Sequence, residues 1–163
     1  DYLAVADRVV IMDRWRPRDA TARAREIAGP PPPTPVLLPP RIRRIVDPAS
    51  LAPTGKGRVR ARDGRRVEYG SEEIDLTAVE QVLDGPHAAS LGQALRVMAE
   101  GGADGKRALP EALDAIETLL QHEGLDALSP YQAPLGTLVW PRRHEVAAAL
   151  NRLRTLRVRA VNS

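Results

Sequence analysis

The chain has 163 residues and a formal net charge of +3, from 24 Lys or Arg against 21 Asp or Glu, which suits one ordinary domain around one core. The absence of Cys excludes disulfides, thiolate metal sites and cysteine nucleophiles, and no apolar stretch approaches the roughly 20 residues that cross a bilayer. With no Phe and 3% aromatics, the only platforms for stacking on bases are Tyr2, Trp15, Tyr69, Tyr131 and Trp140, and the cytosol is the expected compartment.

Asp7 to Asp13 encloses the apolar run Val9-Val10-Ile11-Met12 between charged ends, the pattern of a parallel strand buried on both faces. Nothing downstream supplies the strand and helix units such a strand needs, and the first residue is Asp1, so the sequence is expected to be a fragment that begins inside a domain. Asp19 or Thr21 is placed to cap a short helix to about Ala28. Gly29, Pro30 to Pro33, Pro35, Pro39 and Pro40 then predict a stiff linker over 29–40, read as a spacer rather than a PxxP ligand. The expected division is 1–28 as the end of one core, 29–40 as linker and 41–163 as a second domain.

Beyond the linker, Arg58 to Arg62 alternates with period two and leads through Asp63-Gly64 into Arg65 to Tyr69, which predicts a β-hairpin. Ile74 to Leu76 is read as a third short strand, and Thr77 as the cap of a helix carrying Val79, Val82 and Leu83. Helices are predicted from about Pro86 to Glu100, from Leu109 to Glu123 with Gly124 as its stop, and from Pro141 to about Leu153, each with apolar residues at helical spacing. Leu156 to Val161 alternates again and is read as a terminal strand that pairs with the hairpin. The fold class is therefore α+β and helix-rich: the last strand of an α/β nucleotide-binding core, then a small domain with a β-hairpin and about four helices.

Charge is unevenly spread: residues 1–70 hold 15 basic against 8 acidic side chains, 71–130 hold 3 against 12, and 131–163 hold 6 against 1. Along a strand, residues i, i+2 and i+4 share a face, so Arg58, Arg60 and Arg62 project together, and Arg157 and Arg159 repeat this on the terminal strand. If the two strands are neighbours, five guanidinium groups line one sheet face and offer charge-assisted contacts to phosphate. Nucleic acid, RNA or DNA, is the ligand this suggests; a solvated face balanced by the acidic middle of the chain is the alternative.

Other chemistry is poorly supplied. His87, His122 and His144 lack the spacing of a metal site and are read as solvated, and no Ser sits in a nucleophile elbow. Glu72-Glu73 reads as a solvated lead-in rather than an acid/base pair. Thr54-Gly55-Lys56-Gly57 has neither the earlier Gly nor the following Ser or Thr of a phosphate-binding loop. Catalytic, cofactor and metal residues are accordingly expected to be absent.

Asp1 to Asp13, with Ala6-Asp7-Arg8-Val9, resembles the late strand of ABC ATPases. Trp15 to Ala24, Glu73 to Gln81 and Pro141 to Arg154 are similar to the "predicted ATPase of the ABC class" family, a stand-alone group outside the transporters. The resemblance implies a C-terminal portion whose phosphate-binding loop, signature segment and acidic Mg-site strand lie upstream. ATP and Mg would then belong to the full-length protein, with its ATPase core as partner and a homodimer as the assembly. A binding module for RNA or another polyanion, or a structural dimerisation domain, is the alternative role.

Overall fold

Apolar residues that recur at helical spacing in the second half of the chain close onto one core, and the strands around them come from segments with clear and with faint sequence signals. In the computed structural model, residues 2–29, 42–130 and 137–162 are described. The linker expected over 29–40 and Tyr131 fall outside them, apart from Gly29. Contacts divide the chain into residues 1–39 and 40–163.

In the first unit, strand β1 (Val10–Asp13) pairs antiparallel with β2 (Arg16–Asp19), from Val10 opposite Asp19 to Asp13 opposite Arg16. Helix α1 (Thr21–Ala28) follows. Thr21 donates its N–H to Asp19 Oδ1 at 2.9 Å, and its hydroxyl accepts the Val9 N–H at 3.0 Å, so both residues tie strand to helix. The N-cap is Ala20, however, and no side chain caps the helix, which corrects the expected cap. The parallel strand buried on both faces is thus corrected. Arg14-Trp15 turns the chain straight back, so the neighbour of β1 is the next four residues, and Val10, Ile11 and Met12 stay at least half exposed. The turn carries no Asn-Gly or Asp-Gly signal, which is why the hairpin was not legible.

The second unit runs through β3 (Ile42–Val46), the single-turn helix α2 (Pro48–Leu51), β4 (Val59–Asp63), β5 (Arg66–Tyr69), β6 (Glu72–Asp75), α3 (Gly85–Val97), α4 (Leu109–Glu123), α5 (Arg143–Leu150) and β7 (Val158–Asn162). The α+β class expected from the sequence holds, with five helices and antiparallel sheets among the described residues. One sheet has the order β4-β5-β6 and another pairs β3 with β7. The helix expected from Thr77 is instead two successive turns, in which the Val79 N–H donates to the Leu76 carbonyl and the Val82 N–H to the Val79 carbonyl. Asp84, a few residues on, starts the next helix by accepting the His87 N–H at 3.0 Å, which leaves too little chain for another.

Helices α3, α4 and α5 bury Leu91, Leu95, Ile116, Leu120, Val146 and Leu150 against Val67, Tyr69 and Ile74 of the three-stranded sheet. Leu153, assigned to the last helix from the sequence, is buried in the turns that follow α5. Tyr69 is fully enclosed, burial pushes its phenol well above the ordinary value, and it donates to the Leu51 carbonyl at 2.8 Å. Tyr69→Phe removes that donor and strands a buried carbonyl. It is expected to lower the unfolding free energy by about 1–3 kcal/mol, read from the urea midpoint at unchanged slope.

Candidate nucleic-acid interface

The hairpin signal at Asp63-Gly64 sets one arginine cluster. Asp63 closes β4 opposite Arg66, the loop proper is Gly64-Arg65, and the Arg65 N–H donates to Asp63 Oδ1 at 2.9 Å. The register slips between Ala61 and Asp63, which makes Arg62 the extra residue of a bulge. Strict alternation therefore ends at Ala61, yet the outcome for charge is convergence. Arg60 Nε lies 2.9 Å and Arg62 Nε 3.2 Å from the same Glu68 oxygen. Hydrogen bonding from Arg60 comes first among the causes that hold the Glu68 carboxyl below its usual range, followed by the charges of Arg60, Arg62 and Arg58. Arg58 makes no side-chain hydrogen bond or ion pair among the described residues; its carbonyl accepts the Gly70 N–H at 2.7 Å.

Across the same outward face, β5 and β6 bring more carboxylates than cations. Glu68 stands opposite Glu73, and Arg66 stands opposite Asp75 and 3.9 Å from Asp63. Carboxylates thus offset the cations over β5 and β6. The positive excess is confined to the β4 edge, where Arg58, Arg60 and Arg62 meet one carboxylate.

Arg159 lies in the other sheet, and Arg157 immediately precedes its strand β7. The terminal strand β7 pairs with β3, Val46 opposite Val158 and Ile42 opposite Asn162, and not with the hairpin. A single face carrying all five arginines is therefore corrected to two separate cationic places. The strand that takes β7, Ile42–Val46, has two adjacent arginines in its middle and no period-two pattern, so nothing in the sequence marked it. Arg157 presents Nε and Nη2 to Asp47 Oδ2, each at 3.0 Å, and its backbone N–H donates to Ser50 Oγ at 2.8 Å. Arg159, opposite Ile45, has no ion pair or side-chain hydrogen bond among the described residues. Both line an open groove of about 390 Å³ with Ile45, Val46, Pro48 and Gly105. Two further cations missed from sequence stand on β3: Arg43, paired with Glu111, and Arg44, which donates to Asn151 Oδ1 at 2.9 Å.

The family model of the MRB1590 C-terminal domain matches residues 58–159. The chain belongs to this family. No curated protein matches it. The matched span opens at Arg58 and closes at Arg159, so all five arginines fall in the MRB1590 C-terminal domain, whereas β3 and the first unit lie outside it. This overturns the resemblance to an ABC-class ATPase, since the family matched is the MRB1590 C-terminal domain and not one of ABC-class ATPases. The ATP-hydrolysing parent and the upstream ATPase core as partner are withdrawn with it. The segments that suggested them were Asp1 to Asp13, Trp15 to Ala24, Glu73 to Gln81 and Pro141 to Arg154, of which the last two fall within the matched residues 58–159.

One histidine also departs from expectation. His87, read as solvated, is 9% exposed and lies with Nε2 2.9 Å from Oε2 of Glu145, which is 4% exposed. The same Glu145 oxygen accepts the Arg142 N–H at 2.9 Å, so the pair fastens α3 to the first turn of α5. His122 and His144 are exposed. Among the described residues no helix is long and apolar enough to cross a membrane.

Proposed function

We propose that the MRB1590 C-terminal domain of this chain contacts RNA through phosphate-directed arginines. The observation that carries this reading is the β4 edge, where Arg60 and Arg62 crowd onto Glu68 with Arg58 beside them, leaving a positive excess on an edge strand. Arg159, uncommitted beside its groove, supplies a second place of the same kind. Guanidinium groups suit phosphate because their donors form a fork that matches its oxygens. Membership of the MRB1590 family, which is associated with RNA-binding complexes, supports RNA as the polyanion.

Contacts of this kind position a strand without reading its bases, so sequence preference in this domain is expected to be slight. Binding of single-stranded oligonucleotides is expected to weaken steeply with salt. Replacing Arg58, Arg60 and Arg62 together with Ala is expected to lower affinity for every sequence and to flatten the log–log salt slope by about 2, at about 0.7 per lost phosphate contact. Fluorescence anisotropy across a salt series reads both. No binding at low salt, or binding that the triple variant leaves unchanged, returns these residues to a solvated face.

A further inference from the structure

The hairpin of the first unit carries, at its tip, the most exposed large hydrophobic side chain among the described residues. Trp15 is 94% exposed, and with Arg14 it forms the turn between β1 and β2. Both sit at positive φ, 66° for Trp15 and 47° for Arg14, where Gly or Asn is usual. Sterically disfavoured backbone is thus maintained at two bulky residues, and its effect is to hold the indole away from the strands.

The charges around it are sorted. Arg8 is held by Asp19 at 3.4 Å and Arg18 by Asp13 at 3.1 Å, along the sides of the ribbon. Arg14 and Arg16, on either side of Trp15, make no ion pair or side-chain hydrogen bond among the described residues. The tip therefore offers one flat aromatic surface between two uncommitted guanidinium groups. Of the other aromatics with described side chains, Tyr69 is enclosed in the core and Trp140 is half exposed.

We propose that this tip is a second contact for single-stranded RNA, in which Trp15 stacks on an unpaired base and Arg14 and Arg16 take the flanking phosphates. It rests on the reading of the chain as RNA-contacting and adds a site outside the matched residues 58–159. A lone ring between two cations suits one nucleotide and its neighbours. The turn itself holds Arg14 beside Trp15, and the exposed Val10, Ile11 and Met12 stand behind it on β1.

The chain has two Trp, so Trp140→Phe leaves Trp15 as the only indole and its emission as a local reporter. Titration of the intact chain in that background with a single-stranded 20-mer RNA is expected to quench Trp15. Trp15→Ala is expected to weaken binding about tenfold, while Trp15→Phe retains most of it. Arg14→Ala with Arg16→Ala is expected to flatten the salt slope by about 1.4. Unquenched emission and unchanged affinity in Trp15→Ala, while the Arg58, Arg60 and Arg62 variant still loses affinity, overturns this site alone. Failure of the intact chain to bind RNA overturns both readings. A shift of Trp15 emission on anionic phosphatidylserine vesicles but not on RNA overturns the site in favour of a membrane contact. Because the ring stands in solvent, unchanged circular dichroism is expected for each variant.

Discussion

Replacing His87 with Ala is expected to lower the unfolding free energy by about 1–3 kcal/mol, the usual cost of leaving a buried hydrogen-bonding group without its partner. His87 comes from the first turn of α3 and Glu145 from the first turn of α5, and their side chains meet at 2.9 Å with little access to water. Without the ring, the Glu145 carboxyl keeps the Arg142 N–H, with the Arg142 side chain 3.9 Å away and largely in solvent. It remains buried among the residues that join the two helices, and that desolvation is no longer offset. Glu145→Gln is the milder change. Its carbonyl oxygen takes the place of Oε2, accepting the Arg142 N–H and the His87 Nε2–H together, so a loss of about 1 kcal/mol is expected. Urea unfolding of the two variants tests the order. A loss below about 1 kcal/mol in His87→Ala would mean that water reaches the pair and that it does not fasten α3 to α5.

That pair also marks where the sequence stopped being informative. His87 and Glu145 are 58 residues apart, and nothing local announces that one will face the other. What was legible followed from period and punctuation. Leu109–Glu123 carries its apolar residues at helical spacing and ends at Gly124 as expected, with a φ of 74° that suits glycine but a ψ of −169° that is not the expected left-handed cap. The β4–β5 hairpin was legible through alternation and the Asp63-Gly64 signal. The third strand, expected at Ile74 to Leu76, lies at Glu72–Asp75 and includes the pair read as a solvated lead-in. The bulge at Arg62 was not legible, because a bulge is set by the fit of two strands rather than by one. Pairing between distant strands was the real failure. Alternation showed that Leu156 to Val161 is a strand, but not that its partner is Ile42–Val46 across more than a hundred residues. The candidate interface inherited that failure, because the assembly of its five arginines onto one face depended on β7 pairing with the hairpin, and β7 pairs with β3.

The β1–β2 hairpin shows the same limit from the other side. An uninterrupted apolar run is the mark of a strand with both faces covered. Val10, Ile11 and Met12 fulfil the pattern and yet lie in a two-stranded ribbon, because strand identity is local while coverage is supplied by whatever packs there. Separating those two inferences is what allows Trp15 to be read as the tip of a hairpin. As the flank of a buried strand it had no reason to face solvent.

Gly92 carries the second large effect, and there the sign itself is at issue. It lies in α3, where replacing Gly with Ala ordinarily gains about 1 kcal/mol of helix stability. In this fold a Cβ at position 92 would fall 2.7 Å from Val67 Cγ1 and 2.9 Å from Val59 Cγ1. Neither valine can easily yield, since β-branched side chains are stiff at χ1 and Val67 is buried in the central strand of its sheet. Overpacking of this kind costs about 1–3 kcal/mol, which exceeds the helix gain. Gly92→Ala is therefore expected to be net destabilising by about 1 kcal/mol, and Gly92→Val by about 3 kcal/mol or more. The consequence reaches the interface, because β4 rests on α3 through this contact and through Gln93, whose Nε2 donates to the Val59 carbonyl at 3.1 Å. Lifting β4 shifts the strand that presents Arg60 and Arg62 to Glu68. Combining Gly92→Ala with Val67→Ala makes room for the new methyl, so the double variant is expected to lose less than the sum of the two single losses. Stabilisation by Gly92→Ala alone would show that the sheet moves away from α3 at little cost, and that the glycine is not what sets their close approach.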